Sequence, residues 1–136
     1  MKTQRERVMR YVETEYGSEP EYLWEKYPDY AVCRHPGSRK WFAVFMRVQA
    51  EKLGLTGAAR VEIMDIKCSP VMIGALLTQK GYLPAYHMNK DGWITVVLDD
   101  TVADDEILPL LEFSYDSVAP KGKRRASGDD SKEASQ

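Results

Sequence analysis

The chain has 136 residues, of which 43% are hydrophobic and 29% charged, and its formal net charge is −2. This length and composition fit one globular domain with its own core, so neither disulfides nor a structural metal are needed to explain folding. No apolar run approaches the roughly 20 residues of a membrane span, and the polar first ten residues lack the apolar part of a signal peptide, so we expect a cytoplasmic protein without a membrane anchor.

The first predicted element is a helix that begins after Thr3 and ends before Gly17. Thr3 and Glu6 have the spacing of a capping box, and the apolar residues that follow recur at helical intervals. Glycine at the end of such a pattern is typical of the C′ position. The sequence therefore predicts where this helix begins and where it ends.

An irregular segment and three strands are predicted next. The irregular segment spans residues 18–29, and its Trp24 and Tyr27 are expected to fold back onto the core. Alternating and β-branched residues predict strands at residues 30–35, 40–48 and 60–67. In the second of these strands, one face is predicted to carry Phe42, Val44, Met46 and Val48, and the other Trp41, Ala43, Phe45 and Arg47. The first two strands form a predicted hairpin with basic residues around its tip.

The second half of the chain predicts two more helices and a second hairpin. Ser69 and Pro70 suit the N-cap and the first position of a helix. The second hairpin joins residues 83–90 to 93–98, and a last helix begins within residues 101–105. The order α-β-β-β-α-(β)-β-α predicts an α+β fold, a two-layer sandwich in which helices back an antiparallel sheet.

Residues 1–119 are predicted to form the single domain and residues 120–136 a disordered polar tail. The domain holds 14 basic and 18 acidic residues, a net charge of −4. The tail begins with a basic block formed by Lys121, Lys123, Arg124 and Arg125. Any phosphate-binding role must therefore depend on a local patch or on this block, which is otherwise a solubilising terminus.

No pattern of catalytic residues is found, whether GxSxG, HExxH, GxGxxG or a P-loop, so we expect neither an enzyme nor a cofactor. Cys33 and Cys68 match no metal spacing and lie in apolar segments, which indicates small buried side chains. A metal site is not expected either.

Residues 81–93 are the most informative stretch, because three aromatic residues, a histidine, an amide and a lysine lie between two predicted elements. They indicate either a hairpin whose aromatic residues cover a sheet edge or a protruding wing that presents His87, Asn89 and Lys90 to a polar partner. Phosphates need such donors, and aromatic rings can stack on bases. Lys67, directly before an N-capped helix, is either an anion-binding residue or a plain surface lysine.

Four short motifs carry a resemblance to a known family. They are Lys40-Trp41-Phe42-Ala43, Ile66-Lys67 with Ser69-Pro70, Pro84-Ala85-Tyr86-His87-Met88-Asn89-Lys90 with Trp93-Ile94, and Ser114-Tyr115 with Val118. With these motifs the chain resembles the MmcQ/YjbR family of small bacterial proteins over about residues 1–121. The resemblance implies a CyaY-like, frataxin-related fold and a double-wing mode of DNA binding, in which two hairpins flank a helix. The wings would be residues 34–40 and 86–93.

The leading hypothesis is a small monomeric binding module that contacts duplex DNA through two hairpin wings. Its candidate nucleic-acid-binding residues are Arg34, Arg39, Lys40, Lys67, His87, Asn89 and Lys90. One alternative is a protein-interaction or regulatory module, which the acidic balance of the domain favours. Another is an enzyme or small-ligand binder with a pocket near Lys67 and His87. The frataxin-related fold that the resemblance implies also suggests a metal-binding variant, which would depend on scattered glutamates of the kind that are usually solvated, namely Glu13, Glu15 and Glu19.

Overall fold

The computed structural model describes residues 2–57 and 59–121, which form three α-helices and five strands. In chain order these elements are α1 (Gln4–Tyr16), β1 (Ala31–Arg34), β2 (Trp41–Gln49), β3 (Arg60–Lys67), α2 (Pro70–Leu76), β4 (Tyr82–Pro84), β5 (Trp93–Val97) and α3 (Asp104–Ser117). A short 3₁₀ turn, Ala50–Leu53, follows β2. The α+β class and the predicted order of elements are confirmed, whereas the predicted disorder of the tail concerns residues outside the described part beyond Lys121.

The predicted helix ends are confirmed by hydrogen bonds. The Thr3 hydroxyl accepts from the Glu6 amide while the Glu6 carboxylate accepts from the Thr3 amide, which completes the capping box. Gly17 ends α1 with φ of 64°, in the left-handed region that favours glycine. At the start of α2, the Ser69 hydroxyl accepts from the Met72 amide at 3.2 Å.

The five strands form one sheet in the order β1-β2-β3-β5-β4, and every neighbouring pair is antiparallel. Because β1, β3 and β4 run in one direction and β2 and β5 in the other, both hairpin tips lie at the same end of the sheet. That end, called here the hairpin end, also receives the last residue of β3 and the first residue of α2. The two edge strands of the sheet, β1 and β4, have four and three residues.

One face of the sheet is covered by helices. Val8 and Val12 of α1 and Ile107 and Leu111 of α3 are fully buried against Phe45 and its neighbours in the sheet. A buried polar contact joins the two helices at the end opposite the hairpins. There the Gln4 amide donates to the Val102 carbonyl at 2.7 Å and to the Asp104 carboxylate at 2.8 Å.

The predicted faces of β2 are wrong at its first two residues. The pairing register shifts between Cys33 and Arg34, since Cys33 lies opposite Ala43 but Arg34 lies opposite Trp41. This bulge places Phe42 beside Ala43 and Phe45 in the helix-side core, whereas Trp41 packs against the other face with Val44. An extra residue in one strand reverses the alternation from that point onward, and the alternation pattern contains no sign of it.

The other face of the sheet carries a second apolar cluster without any helix over it. Its buried members are Val32, Val44, Met46, Val48, Ile63, Ala85, Trp93 and Val97. Aromatic residues from two irregular segments pack onto them, among them Trp24, Tyr30 and Tyr86. Trp24 therefore folds onto the core as predicted, but Tyr27 stays 51% exposed. Residues 22–30 and 85–88 replace a helical layer on this side.

Candidate functional site

The sheet topology brings all seven candidate residues to the hairpin end. Arg34, Arg39 and Lys40 belong to the first hairpin tip, and Lys67 is the last residue of β3. The remaining three, His87, Asn89 and Lys90, lie in the second tip between β4 and β5. Residues separated by more than fifty positions thus share one edge of the molecule, with the start of α2 between the two tips.

The first tip is held together by charge pairs. Glu21 accepts from Arg34 and from Arg39, each at 3.2 Å, so one carboxylate lies between two guanidinium groups. Lys40 is exposed, and no ion pair with it is found among the described residues. Lys40 is therefore the residue of this tip best placed to meet an external phosphate.

His35, next to this tip, serves the fold. Its Nδ1 accepts from the backbone amide of Gly37 at 2.9 Å, and its ring stacks on Tyr115 with centroids 4.2 Å apart. Burial lowers the pKa of His35, because the charged imidazolium would lose its hydration there. The neutral ring is thus fixed as a hydrogen-bond acceptor inside the hairpin.

Lys67 lies between the two tips. Its ammonium is 5.7 Å from the ring centroid of Trp93, its cross-strand partner, within the range of a cation–π contact. Its backbone amide donates to the Ser114 hydroxyl at 2.9 Å, and that hydroxyl donates to the Phe42 carbonyl at 2.6 Å. Ser114 therefore ties α3 to the two central strands just below the hairpin end.

The second tip is shaped by its own polar side chains. The Lys90 ammonium donates to the Ala85 carbonyl at 2.9 Å, and the Asn89 side-chain oxygen accepts from the Asp91 amide at 2.8 Å. A lysine ammonium has three donors, so the Ala85 contact leaves capacity for another acceptor. His87 has φ of 67°, which is uncommon for a residue other than glycine.

Part of the acidic excess of the domain lies away from this edge of the sheet, whereas Glu21 and Asp91 lie at the two tips. Five carboxylates follow β5 or begin α3, at the end opposite the hairpins: Asp99, Asp100, Asp104, Asp105 and Glu106. Arg7 pairs with Asp100 and Asp104. On the helix layer, α1 ends near the first tip, where Tyr16 and His35 both contact Tyr115. Glu13 and Glu15 in the last turns of α1 therefore bring negative charge to the helix side of this end.

The basic block of the tail starts beside the first tip. A Cβ placed on Gly37 would lie 3.0 Å from Cγ of Pro120, so the chain passes directly over this hairpin before Lys121. Lys123, Arg124 and Arg125 lie outside the described residues.

An aromatic pocket opens on the helix-free face of the sheet, next to the second tip. It has a volume of about 310 Å³, and its lining residues are Trp24, Tyr27, Tyr30, Trp41, Val44, Met46, His87 and Met88. His87 thus lines a cavity, as the small-ligand hypothesis expected, but Lys67 is not among the lining residues. The sequence pointed to His87 and to the irregular segment at residues 18–29. It did not indicate that both line one pocket over β2.

The rings of the pocket stand at defined angles. Those of Tyr30 and Trp41 both lie close to perpendicular to Trp24, with interplanar angles of 74° and 82°. Tyr27 stacks on Tyr30 with centroids 4.8 Å apart and an interplanar angle of 17°. Flat walls at right angles can take a planar group that stacks on one wall and meets the edge of another.

A buried carboxylate lies beside the floor of this pocket. Asp65 pairs across the strands with Val44 and with Thr95, and it is fully buried. The Thr95 hydroxyl accepts from the Tyr86 amide at 2.9 Å and donates to Asp65 Oδ1 at 2.5 Å, whereas Oδ2 has no partner among the described residues.

Burial raises the pKa of Asp65 to about 7, and the Thr95 hydrogen bond and the charge of Lys90 oppose that increase. Asp65 is not among the candidate residues predicted from the sequence. The available signal was an aspartate in register with Val61 and Ile63 on an apolar face of β3.

Three further observations concern the cysteines, metal binding and membrane insertion. Cys33 and Cys68 are buried as predicted, and burial raises the pKa of the Cys68 thiol to about 11. In residues 2–57 and 59–121, no three or more His, Cys, Asp or Glu side chains are placed so that they could hold a metal ion. No helix within these residues combines the length and apolarity that crossing a bilayer requires.

Comparisons with known proteins agree on one family. The profile of the family described as YjbR matches residues 14–117. The uncharacterised protein YyaQ of Bacillus subtilis is 42% identical over 111 residues, which cover 82% of this chain and 94% of YyaQ. A crystal structure of a Pseudomonas syringae protein shares 42% identity with a TM-score of 0.82, covering 84% of this chain and 97% of that one. A Deinococcus radiodurans protein shares the fold, with a TM-score of 0.59 at 20% identity over 91% of this chain and 85% of the other.

Proposed function

The chain belongs to the YjbR family, and we propose that it is a cytoplasmic module that contacts the phosphate backbone of duplex DNA through its hairpin end. The observation that carries the proposal is the meeting of both hairpin tips and Lys67 at one edge of the sheet. The double-wing arrangement that the family resemblance implies would require two hairpins that flank the start of a helix, and this placement of the two tips supports the proposal.

The chemistry of this edge supports contacts to phosphates rather than to bases. Lys40 is exposed and Lys67 is half-buried over Trp93, so both present ammonium groups. Arg34 and Arg39 share one carboxylate, that of Glu21, and therefore keep net positive charge between them. Donors of this type bind phosphate oxygens and position a protein without reading sequence. We therefore propose weak, salt-dependent binding with little sequence preference.

The experiment measures affinity for a short duplex at several salt concentrations. Wild-type protein is compared with the double variant Lys40→Ala/Lys67→Ala. Each lost phosphate contact should reduce the slope of log K against log salt by about 1, so the double variant should lose about 2. The matched control is Lys52→Ala/Lys80→Ala, which removes two exposed lysines at the opposite end of the sheet and should leave the slope unchanged.

The outcomes separate the alternatives. An equal loss in both double variants would mean that binding follows overall charge and not the hairpin end. Absence of any salt-dependent binding in the wild-type protein would overturn the proposal. Exposed Tyr22 and Leu23, at 57% and 46%, offer an apolar surface beside the pocket. They favour the competing protein-interaction hypothesis, which a specific protein partner co-purified without nucleic acid would then support.

A further inference from the structure

We propose that the aromatic pocket receives one unpaired nucleobase, so that the protein prefers DNA containing an unpaired base to a fully paired duplex. This inference rests on the proposed contact between the hairpin end and phosphates. It adds a class of target, namely damaged, bulged or single-stranded sites, and assigns a recognition role to residues outside the basic tips.

The pocket lies next to both hairpin tips. His87 and Met88 belong to the second tip and also line the pocket, while Trp41 begins β2 directly after Lys40. A nucleic-acid strand held by the hairpin end therefore passes the mouth of the pocket. A base rotated out of the duplex needs a cavity of this kind within reach of its own backbone contacts.

The aromatic walls of the pocket suit a nucleobase. Four aromatic residues, Trp24, Tyr27, Tyr30 and Trp41, surround a cavity of about 310 Å³, which is the lower end of the volume usual for small-molecule sites. Bases stack on such rings whatever their sequence, because every base has a π-face. The tyrosine hydroxyls and the His87 imidazole supply polar groups for the edge of a base.

An organic cation, the other ligand that aromatic walls bind well, suits this pocket less well than a base does. The guanidinium of Arg34 already lies 6.0 Å from the ring centroid of Trp41, and no carboxylate is among the lining residues to attract a second cation. The buried carboxylate of Asp65 does not line the cavity and is fully covered. A neutral planar ring attached to an anionic backbone fits both the walls and the positive charge beside them.

Both hairpin tips contain a residue with a strained backbone. In the described ranges, three residues other than glycine have positive φ, and two of them, Arg39 and His87, lie one in each tip. Such conformations cost free energy and recur at ligand-binding segments. The residue with this conformation in the second tip, His87, also lines the pocket.

The experiment compares two DNA duplexes of equal length and charge, one fully paired and one with a single base opposite an abasic site. Wild-type protein should bind the second about tenfold more tightly, as expected for one stacked base. Tyr27→Ala should remove most of this preference while leaving affinity for the paired duplex unchanged. The matched control is Tyr22→Ala, because Tyr22 is equally exposed in the same segment but does not line the pocket.

Tryptophan fluorescence gives a second readout, since Trp24 and Trp41 both line the cavity. The unpaired base should quench it more strongly than the paired duplex does. Equal affinity for the two DNAs, with salt dependence retained, would overturn the pocket inference and leave the proposed function standing. Equal effects of Tyr27→Ala and Tyr22→Ala would also overturn it. Binding to neither DNA would overturn the proposed function and this inference together.

Discussion

Replacement of Asp65 by asparagine should change how the stability of the protein depends on pH. The Asp65 carboxyl has an ordinary pKa of 3.8, which burial raises to about 7 in the folded protein. At about 1.4 kcal/mol for each pKa unit, ionisation of this group costs the folded state about 4 kcal/mol at pH well above 7. Asparagine keeps the shape of the side chain and the oxygen that accepts from Thr95, but it cannot ionise.

The direction follows from the two pKa values. Because folding favours the protonated carboxyl, the stability that Asp65 contributes is complete below pH 3.8 and is lost as the pH rises through 7. The free energy of unfolding of the wild-type protein should thus fall relative to that of Asp65→Asn between pH 5 and 8. His35, whose pKa is lowered, acts in the opposite direction, but it is present in both proteins and cancels in the difference.

Urea unfolding of both proteins at pH 5, 6, 7 and 8 measures this difference. The free-energy difference between wild type and variant should move in favour of the variant by roughly 2–4 kcal/mol across this range. Parallel pH profiles would refute the reasoning, because they would mean that Asp65 ionises as easily in the folded protein as in the unfolded chain. A change in favour of the wild-type protein would refute it equally.

Two substitutions test the packing below the hairpin end and at the opposite end, each by urea unfolding with a matched control. Ser114→Ala should lower the free energy of unfolding by about 2 kcal/mol or more, because the Lys67 amide and the Phe42 carbonyl lose a buried partner. The control Ser117→Ala removes only a hydrogen bond to the Ser114 carbonyl within α3 and should cost less than half of that. Gly81→Ala should be strongly destabilising, since φ is 93° and the new Cβ would clash with the Val102 side chain, which must then shift. Gly92→Ala, with open space around it, should be close to neutral, and similar losses at both glycines would contradict the argument.

The elements of the fold were predictable because they depend on local chemistry. Thr3, Gly17 and Ser69 determine helix ends through hydrogen bonds to neighbours three or four residues away. In β3, Ile63 and Met64 lie in the clusters on opposite faces of the sheet, as the alternating pattern that predicts a strand there requires. Signals of this kind are complete within one segment and need no knowledge of the rest of the chain.

The pocket and the faces of β2 depend on contacts between distant segments. Trp24 and Met88 meet only because two irregular segments cover the same helix-free face, and no periodicity in either segment indicates it. The bulge that moves Phe42 to the helix side is likewise a property of strand pairing. The seven candidate residues were identified from their types, but their meeting at one edge required the strand order.

The two edge strands have a consequence for behaviour at high concentration. A sheet edge exposes unpaired backbone groups to which a strand of another molecule can add, and this is a common route to aggregation. β4 has only three residues and ends in Pro84, which has no amide hydrogen to donate. On the other side, the backbone of Glu21 already exchanges two hydrogen bonds with Val32, each of 2.9 Å, in the middle of β1. Both edges are thus too short or already paired for a growing stack of sheets, so the long apolar strands β2 and β3 stay enclosed between them.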